Sequence, residues 1–328
     1  MEGKMRIITL VLFVSIGLIS SPVFAQWPEK PVKIIIPWNP GAGAVDATTR
    51  ALQKAVTDNN LLSQPLTVLN VGGHFSIGLR KAKDANPDGY NFVVMHMALM
   101  TGEASGMLDF GYRDFEPVAQ VGSVCEFTVA RKNLDIKDFD DLLTKAAEKP
   151  NSLVHGANLG AINHVYGIMT QDLKEGAKFR FVQTGGDAKT YPALAGDHVD
   201  VGAFSASAAV TYTRTPEGEA NPESPIQLLV YAGNERHASI PEVPTFKEFG
   251  YDFSFCFGMW YFAPKGTPQE AIDGFAEMVA KALETKSMQT FLAKNAMEQD
   301  YLNSSGLGEE LDDLWTRVEP VAKRAKKK

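Results

Sequence analysis

The sequence predicts an α/β protein of two lobes, each a mixed β-sheet flanked by helices, with a ligand cleft between them. Three observations carry this expectation. Short apolar runs alternate with longer amphipathic stretches along the chain, the pattern of sheet layered with helix. A length of 328 residues exceeds what one core usually organises, so two lobes are the natural arrangement. Two runs, Val118–Ala130 and Phe253–Ala263, are longer than the other strand candidates and carry no central turn signal; they read as crossings between lobes. The boundaries that follow are residues 26–123 plus 258–328 for lobe 1 and 124–257 for lobe 2.

Taken in order, the chain begins with a basic head, MEGKMR, then an apolar stretch, IITLVLFVSIGLIS, then PVFA ending at Ala25. This reads as a secretory signal, residues 1–25, cleaved after Ala25; the apolar stretch is short for a membrane span. No Cys stands at the cleavage site, so a lipid anchor has no support. The strand candidates are Val32–Ile36, Leu66–Asn70, Asn91–Met95, Val118–Ala130, Ser152–His155, Arg180–Gln183, Val199–Phe204, Gln227–Ala232 and Phe253–Ala263, all apolar or β-branched runs bounded by turn residues. Helices are expected at Val45–Asn59, Ile77–Asp84, Phe139–Glu148, Ile162–Leu173, Ala188–Ala195, Pro268–Leu283 and Gly308–Lys323. In the first helix Ala47, Ala51, Leu52, Ala55 and Val56 recur at helical spacing, one stripe to lay on a sheet. Thr215–Pro225 is polar and Pro-rich and reads as a surface loop.

Composition narrows the function classes. An apolar share of 45% with 22% charged residues belongs to a soluble globular protein able to bury a sizeable core. The net charge of −7, which loss of residues 1–25 shifts to −8, leaves no basic patch inside the chain, so no nucleic-acid partner is expected. Lys323–Lys328 read as a solvated helix tail. Cys125 and Cys256 lie in aromatic, strand-like runs, VCEFTV and FSFCFGMW, where buried free thiols are the simpler expectation. Export permits a disulfide between them without requiring one.

Where strand becomes helix, residues 34–50 read IIIPWNPGAGAVDATTR. Such a turn points free backbone N–H groups at an anion. A P-loop is excluded because no Lys lies between Ile34 and Ala47. A dinucleotide fingerprint fails because Asp46 occupies the third-glycine position, where a carboxylate repels pyrophosphate and obstructs close helix packing. A ligand carboxylate remains, small enough to be held by a few N–H donors. Asp46 itself is either a helix cap or a ligand contact. Pro37 and Pro40 stiffen the loop, and Trp38 is either a pocket wall or a packing residue. Residues 154–166, VHGANLGAINHVY, and 183–192, QTGGDAKTYP, repeat the strand–Gly–helix arrangement. The candidate ligand-binding residues are therefore Trp38, Asn39, Gly41, Ala42, Gly43, Ala44 and Asp46; Phe75, Ser76 and His96; Asn158, Gly160, Ala161, Asn163 and His164; and Gly185, Asp187, Phe204 and Ser205.

Catalytic chemistry is poorly represented. There is no G-x-S-x-G, since GGHFSIG places Ser76 one residue out of that frame, and no H-E-x-x-H. The six histidines show no metal-ligand spacing, and two distant cysteines form neither a zinc knuckle nor a C-x-x-C pair. No catalytic residue, metal or cofactor is expected. His164, near a helix start, is the histidine best placed to meet a ligand, with a capping or core role as the alternative.

With these residues in hand, the chain resembles the solute-binding proteins of tripartite tricarboxylate transporters, the Bug or TctC-type receptors. The resemblance runs through WPEKPVKIIIPWNPGAGAVDATTRAL, ANPDGYNFVV, FEPVAQVGSV, HGANLGAINHVYG, PALAGDHVDVGAF, HASIPEVPTFKEFGY and APKGTP, nearly the whole mature chain. It implies a type II-like periplasmic binding protein fold whose two lobes close on a small organic acid. It also implies that Trp38–Asp46 and Asn158–His164 hold the ligand carboxylate. The sequence departs from the family at three places near the pocket mouth. Gly41-Ala42-Gly43 and Val45 replace a Gly-Gly-x-x-Asp pattern with Thr before the Asp. LNVGGHFSIG lacks the usual Arg and Pro, and Gly258 falls near a common Trp position while Trp260 has shifted.

The function expected is a periplasmic, monomeric receptor that captures a mono-, di- or tricarboxylate, aromatic acids included, and presents it to membrane permease subunits. The alternatives are an exported α/β hydrolase using His164 with Asp46 or Asp187, and a receptor feeding a sensor kinase. Trp38, Phe75, His96 and Phe204 suit a planar or partly apolar acid.

Overall fold

The computed structural model describes residues 27–41, 43–72 and 74–326. The expected signal segment and Ala42 lie outside them. Among the described residues nine strands order as β2-β1-β3-β9-β4-β7-β5-β6, with β8 also paired to β4. They are β1 Val32–Ile36, β2 Leu66–Asn70, β3 Asn91–Met95, β4 Phe115–Arg131, β5 Val154–Ala157, β6 Arg180–Gln183, β7 Val201–Ser205, β8 Ile226–Tyr231 and β9 Cys256–Pro264. In one half β1 runs parallel to β2 and β3; in the other β5 runs parallel to β6 and β7. Both halves carry helices, and this two-lobed mixed α/β architecture is the one anticipated.

The long strands join the halves. β4 pairs with β9 along Phe115–Cys125 and with β7 along Glu126–Ala130, so its neighbour changes between Cys125 and Glu126. Antiparallel register sets Cys125 opposite Cys256, and the two form a disulfide with Cα atoms 3.9 Å apart. The expectation of free thiols is thus corrected. Neither strand alone encodes the pairing; the β4–β9 register brings the sulfurs together.

The helices are α1 Gly43–Asp58, α2 Phe75–Lys83, α3 Ala98–Ala104, α4 Phe139–Glu148, α5 Ile162–Gln171, α6 Asp187–Ala195, α7 Ala206–Thr213, α8 Gln269–Leu283, α9 Lys286–Lys294 and α10 Ser304–Lys326. The buried face of α1 is Val45, Thr48, Thr49, Leu52, Ala55 and Val56, whereas Ala47, placed on the stripe from sequence, is exposed. Thr49 tolerates burial because its hydroxyl bonds the Val45 carbonyl at 2.8 Å. Helices α3, α7 and α9 were not expected. Each is short, so its stability comes from packing rather than propensity. In α10, Leu307, Leu311, Leu314, Val318 and Val321 recur at helical spacing and are buried. That helix packs on α3 and β4 and also on α5, and Arg324 pairs with Asp172 just beyond α5.

Candidate functional site

The carboxyl ends of β1 and β3 and of β5, β6 and β7 open on one cleft of about 590 Å³, within the range that holds a small ligand. Crevices at the carboxyl ends of parallel strands are where α/β sheets bind ligands, because helix N-termini converge there. Here Ala44 and Val45 in the first turn of α1 and Ile162 and Asn163 in that of α5 line the cleft. First-turn N–H groups have no intrahelical acceptor, so they face the cleft with hydrogen bonds to offer. Among the described residues no Lys or Arg lines it.

The wall beside the carboxyl ends of β1 and β3 is aromatic. Trp38 stacks on His96 with ring centroids 5.3 Å apart and on Phe75 at 6.4 Å, and His96 meets Phe257 edge-on at 6.0 Å. Burial pushes the His96 imidazole down to about 4. Its Nδ1 accepts the Ala98 N–H at 3.1 Å, so the ring is neutral with its remaining proton on Nε2. Ser76 is bonded to His74, which caps α2, and does not line the cleft.

Asp46 lies behind this wall, 3% exposed. Its Oδ2 accepts Gly41 N–H at 3.0 Å and Arg50 Nε at 2.8 Å, and its Oδ1 accepts Asn70 Nδ2 at 2.8 Å. Burial acts to raise its pKa, but the bonds from Arg50, Asn70 and Gly41 outweigh that and hold it below the ordinary carboxylate value. All these bonds tie the β1–α1 loop to α1 and the end of β2. Asn39 and Gly41 are exposed outside the lining, and Gly41 takes a φ of +77°. Gly43 begins α1.

Across the cleft, the β5–α5 loop is organised by its own side chains. Asn163 Oδ1 accepts Asn158 N–H at 3.1 Å, and its Nδ2 donates to Gly185 O at 3.2 Å. Gln183 accepts Leu159 N–H at 2.8 Å and donates to Asn158 at 3.1 Å. His164 Nδ1 accepts Gly160 N–H at 3.0 Å, and its buried ring stands edge-on to Phe181 at 4.6 Å. Asn158, Gly160, Ala161 and Asn163 therefore line the cleft, while His164 supports the loop from behind.

Asp187 and Ser205 line the cleft together. Ser205 donates from Oγ at 2.7 Å and from its N–H at 3.2 Å to Asp187 Oδ2. Burial raises the Asp187 pKa, and these bonds oppose the shift. Gly185 and Phe204 do not reach the lining; Phe204 is fully buried against Tyr212.

Glu126 was missed. It lines the cleft at 3% exposure, and its Oε2 has no hydrogen-bond partner among the described residues. Burial, then the charge of Asp187, pushes its carboxyl well above the ordinary range. The available signal was a lone carboxylate inside an apolar strand. Thr101, Ser105 and Ser207 were missed too; they sit in or beside the unexpected helices α3 and α7.

Residues 48–326 match the family described as tripartite tricarboxylate transporter family receptor. The chain belongs to that family. This receptor is 26% identical over 296 residues to a Cupriavidus necator protein described as "UPF0065 protein in gbd 5'region", covering 88% of this chain and 86% of the relative. In fold it is similar to a TctC solute-binding protein from Polaromonas, with a TM-score of 0.76 at 24% identity, covering 92% of this chain and 99% of that one. It is also similar to R. palustris Rpa4515 with adipate, with a TM-score of 0.71 at 22% identity, covering 92% and 98%. Members of the receptor's family are solute-binding proteins rather than enzymes, and no helix among the described residues is long and apolar enough to cross a membrane.

Proposed function

We propose that this receptor captures a small organic acid between its lobes in the periplasm and hands it, chemically unchanged, to the permease subunits of a tripartite transporter. The observation that carries the reading is that the first turns of α1 and α5 open on one cleft from opposite halves of the sheet. Their N–H groups and helix dipoles supply positive potential without a mobile cation. Adipate in a solved relative is consistent with the same chemistry. Hydrogen bonds to a charged group contribute roughly 1.5–3 kcal/mol each. Three or four of them, less the cost of closing the lobes, support about micromolar affinity, near −8 kcal/mol.

In this proposal residues 1–25 direct export and are removed, residues 26–123 plus 258–328 and residues 124–257 move as lobes, and the protein acts as a monomer. The aromatic row of Phe75, Trp38 and His96 accommodates the apolar part of the acid. Closure presents both lobe surfaces at once to the permease, which is how an occupied receptor is told from an empty one. The test is calorimetry of the mature chain against mono-, di- and tricarboxylates, aromatic acids and amino acids, with the bound compound recovered and identified. Recovery of an unaltered acid supports the reading. Turnover of the hit, abolished by His164→Ala, would replace a receptor with an enzyme.

A further inference from the structure

The lobe 2 end of the cleft carries acceptors where a plain carboxylate would need donors. Strand register sets Glu126 on β4 opposite Ser205 on β7, so their side chains rise from the same face. Ser205 in turn holds one oxygen of Asp187. Two carboxylates thus meet in a cleft lined by no Lys or Arg among the described residues. Glu126 Oε2 is buried there without a hydrogen-bond partner. Leaving such an acceptor unsatisfied is costly unless a bound group supplies the missing donor.

A metal ion is not the group that fits. Among the described residues no cluster of three or more His, Cys, Asp or Glu could hold one. An organic ammonium fits better: it has three donors, carries the opposite charge, and needs no fixed coordination shell.

We infer that Glu126 and Asp187 form an ammonium-recognition site, so that the ligand of this receptor is an aminocarboxylate rather than a plain di- or tricarboxylate. This rests on the carboxylate-receptor reading and adds polarity to it. The acid end of the ligand lies at the first turns of α1 and α5, and its amine donates to Glu126 Oε2 and Asp187. Bound in this way, the ammonium satisfies the buried acceptor and removes the repulsion between the two acids.

Matched pairs test the inference: succinate against aspartate, adipate against 2-aminoadipate, and butyrate against 4-aminobutyrate, titrated into the mature chain by calorimetry. The amino member of at least one pair is expected to bind at least tenfold tighter than its partner. Glu126→Gln, checked for folding by circular dichroism, should bring that ratio close to one, and Glu126→Asp should restore part of it. Desamino acids that bind as well or better in every pair overturn the inference and leave the carboxylate reading standing. An amino preference that survives Glu126→Gln overturns the assignment to this side chain. If no member of any pair binds while a tricarboxylate or an aromatic acid without an amine does, the inference is overturned and the carboxylate reading stands; if no acid of the whole panel binds, the carboxylate reading fails and the inference falls with it.

Discussion

Replacing Asp46 by Asn removes the charge that ties the first loop to its helix while keeping the side chain's shape. The carboxylate accepts from Gly41, Arg50 and Asn70, all between 2.8 and 3.0 Å. An amide has one acceptor oxygen and must turn its NH₂ toward a donor, either Asn70 or Gly41 and Arg50 together. Loss of one charge-assisted bond costs roughly 1.5–3 kcal/mol. Because the Arg50 side chain is 46% exposed, solvent screening puts the cost toward the lower end of that range. The opposed donor adds about 1 kcal/mol, for about 2.5 kcal/mol together, or a fall in Tm of about 4–6 °C. The gap has a defined pH dependence. The folded-state pKa of Asp46 is depressed, so its contribution is present above the unfolded value of about 3.9 and is lost as pH falls through the folded one. Differential scanning calorimetry of both proteins from pH 7 to pH 3 should show a constant gap down to about pH 5 that closes below about pH 4. Equal melting at pH 7, or a gap undiminished at pH 3, would refute the assignment of Asp46 as the clamp of this loop.

Three more expectations are open to measurement. The Cys125–Cys256 bridge spans a sequence separation of 131, and closing a loop of that length stabilises by about 5 kcal/mol on the chain-entropy account. Reduction should therefore lower Tm sharply, and two titratable thiols in the unreduced, unfolded chain would contradict the bridge. At Gly160, where φ is +84° and a Cβ meets nothing within 4 Å, Ala and Glu both bring backbone strain of about 1–2 kcal/mol. Only Gly160→Glu should abolish carboxylate binding, by placing a like charge in the anion site; equal affinities in the two variants would mean the site is elsewhere. Glu126 has a raised folded-state pKa, so it binds a proton more tightly folded than unfolded, and its stabilising effect falls as pH rises above about 4.3. The ligand-free Glu126→Gln variant should thus melt above the wild type at pH 8, with the gap closing toward pH 4, and a lower melt at pH 8 would count against the buried acid.

Much of the fold was legible because it is local. β1, β2, β3, β6 and α4 fall on their expected bounds, since apolar runs between turn residues and the Asp138 cap of α4 are short-range signals. The loops that line the cleft were legible for the same reason, as a strand–Gly–helix junction announces its free N–H groups. What failed was non-local. Ala47 lies at helical spacing yet faces solvent, because Thr48 and Thr49 find partners in Met297 and Tyr261, more than 200 residues away in the chain. For His164 the sequence left a ligand contact and a capping or core role both open, and only the fold shows its ring nitrogen accepting the Gly160 N–H from behind the loop.

By itself, then, the sequence determined the alternation of strand and helix, the absence of nucleotide-loop chemistry, and the two Gly-rich junctions whose N–H groups suit an acid. Only the tertiary structure decided which side chains share the cleft. Glu126 reads as one polar residue in an apolar strand until β7 places Ser205 and Asp187 beside it. Cys125 and Cys256 are two lone cysteines until β9 lies against β4. The physical reason is common to both: strand register is a pairing between distant segments, held by hydrogen bonds and burial that neither segment contains alone.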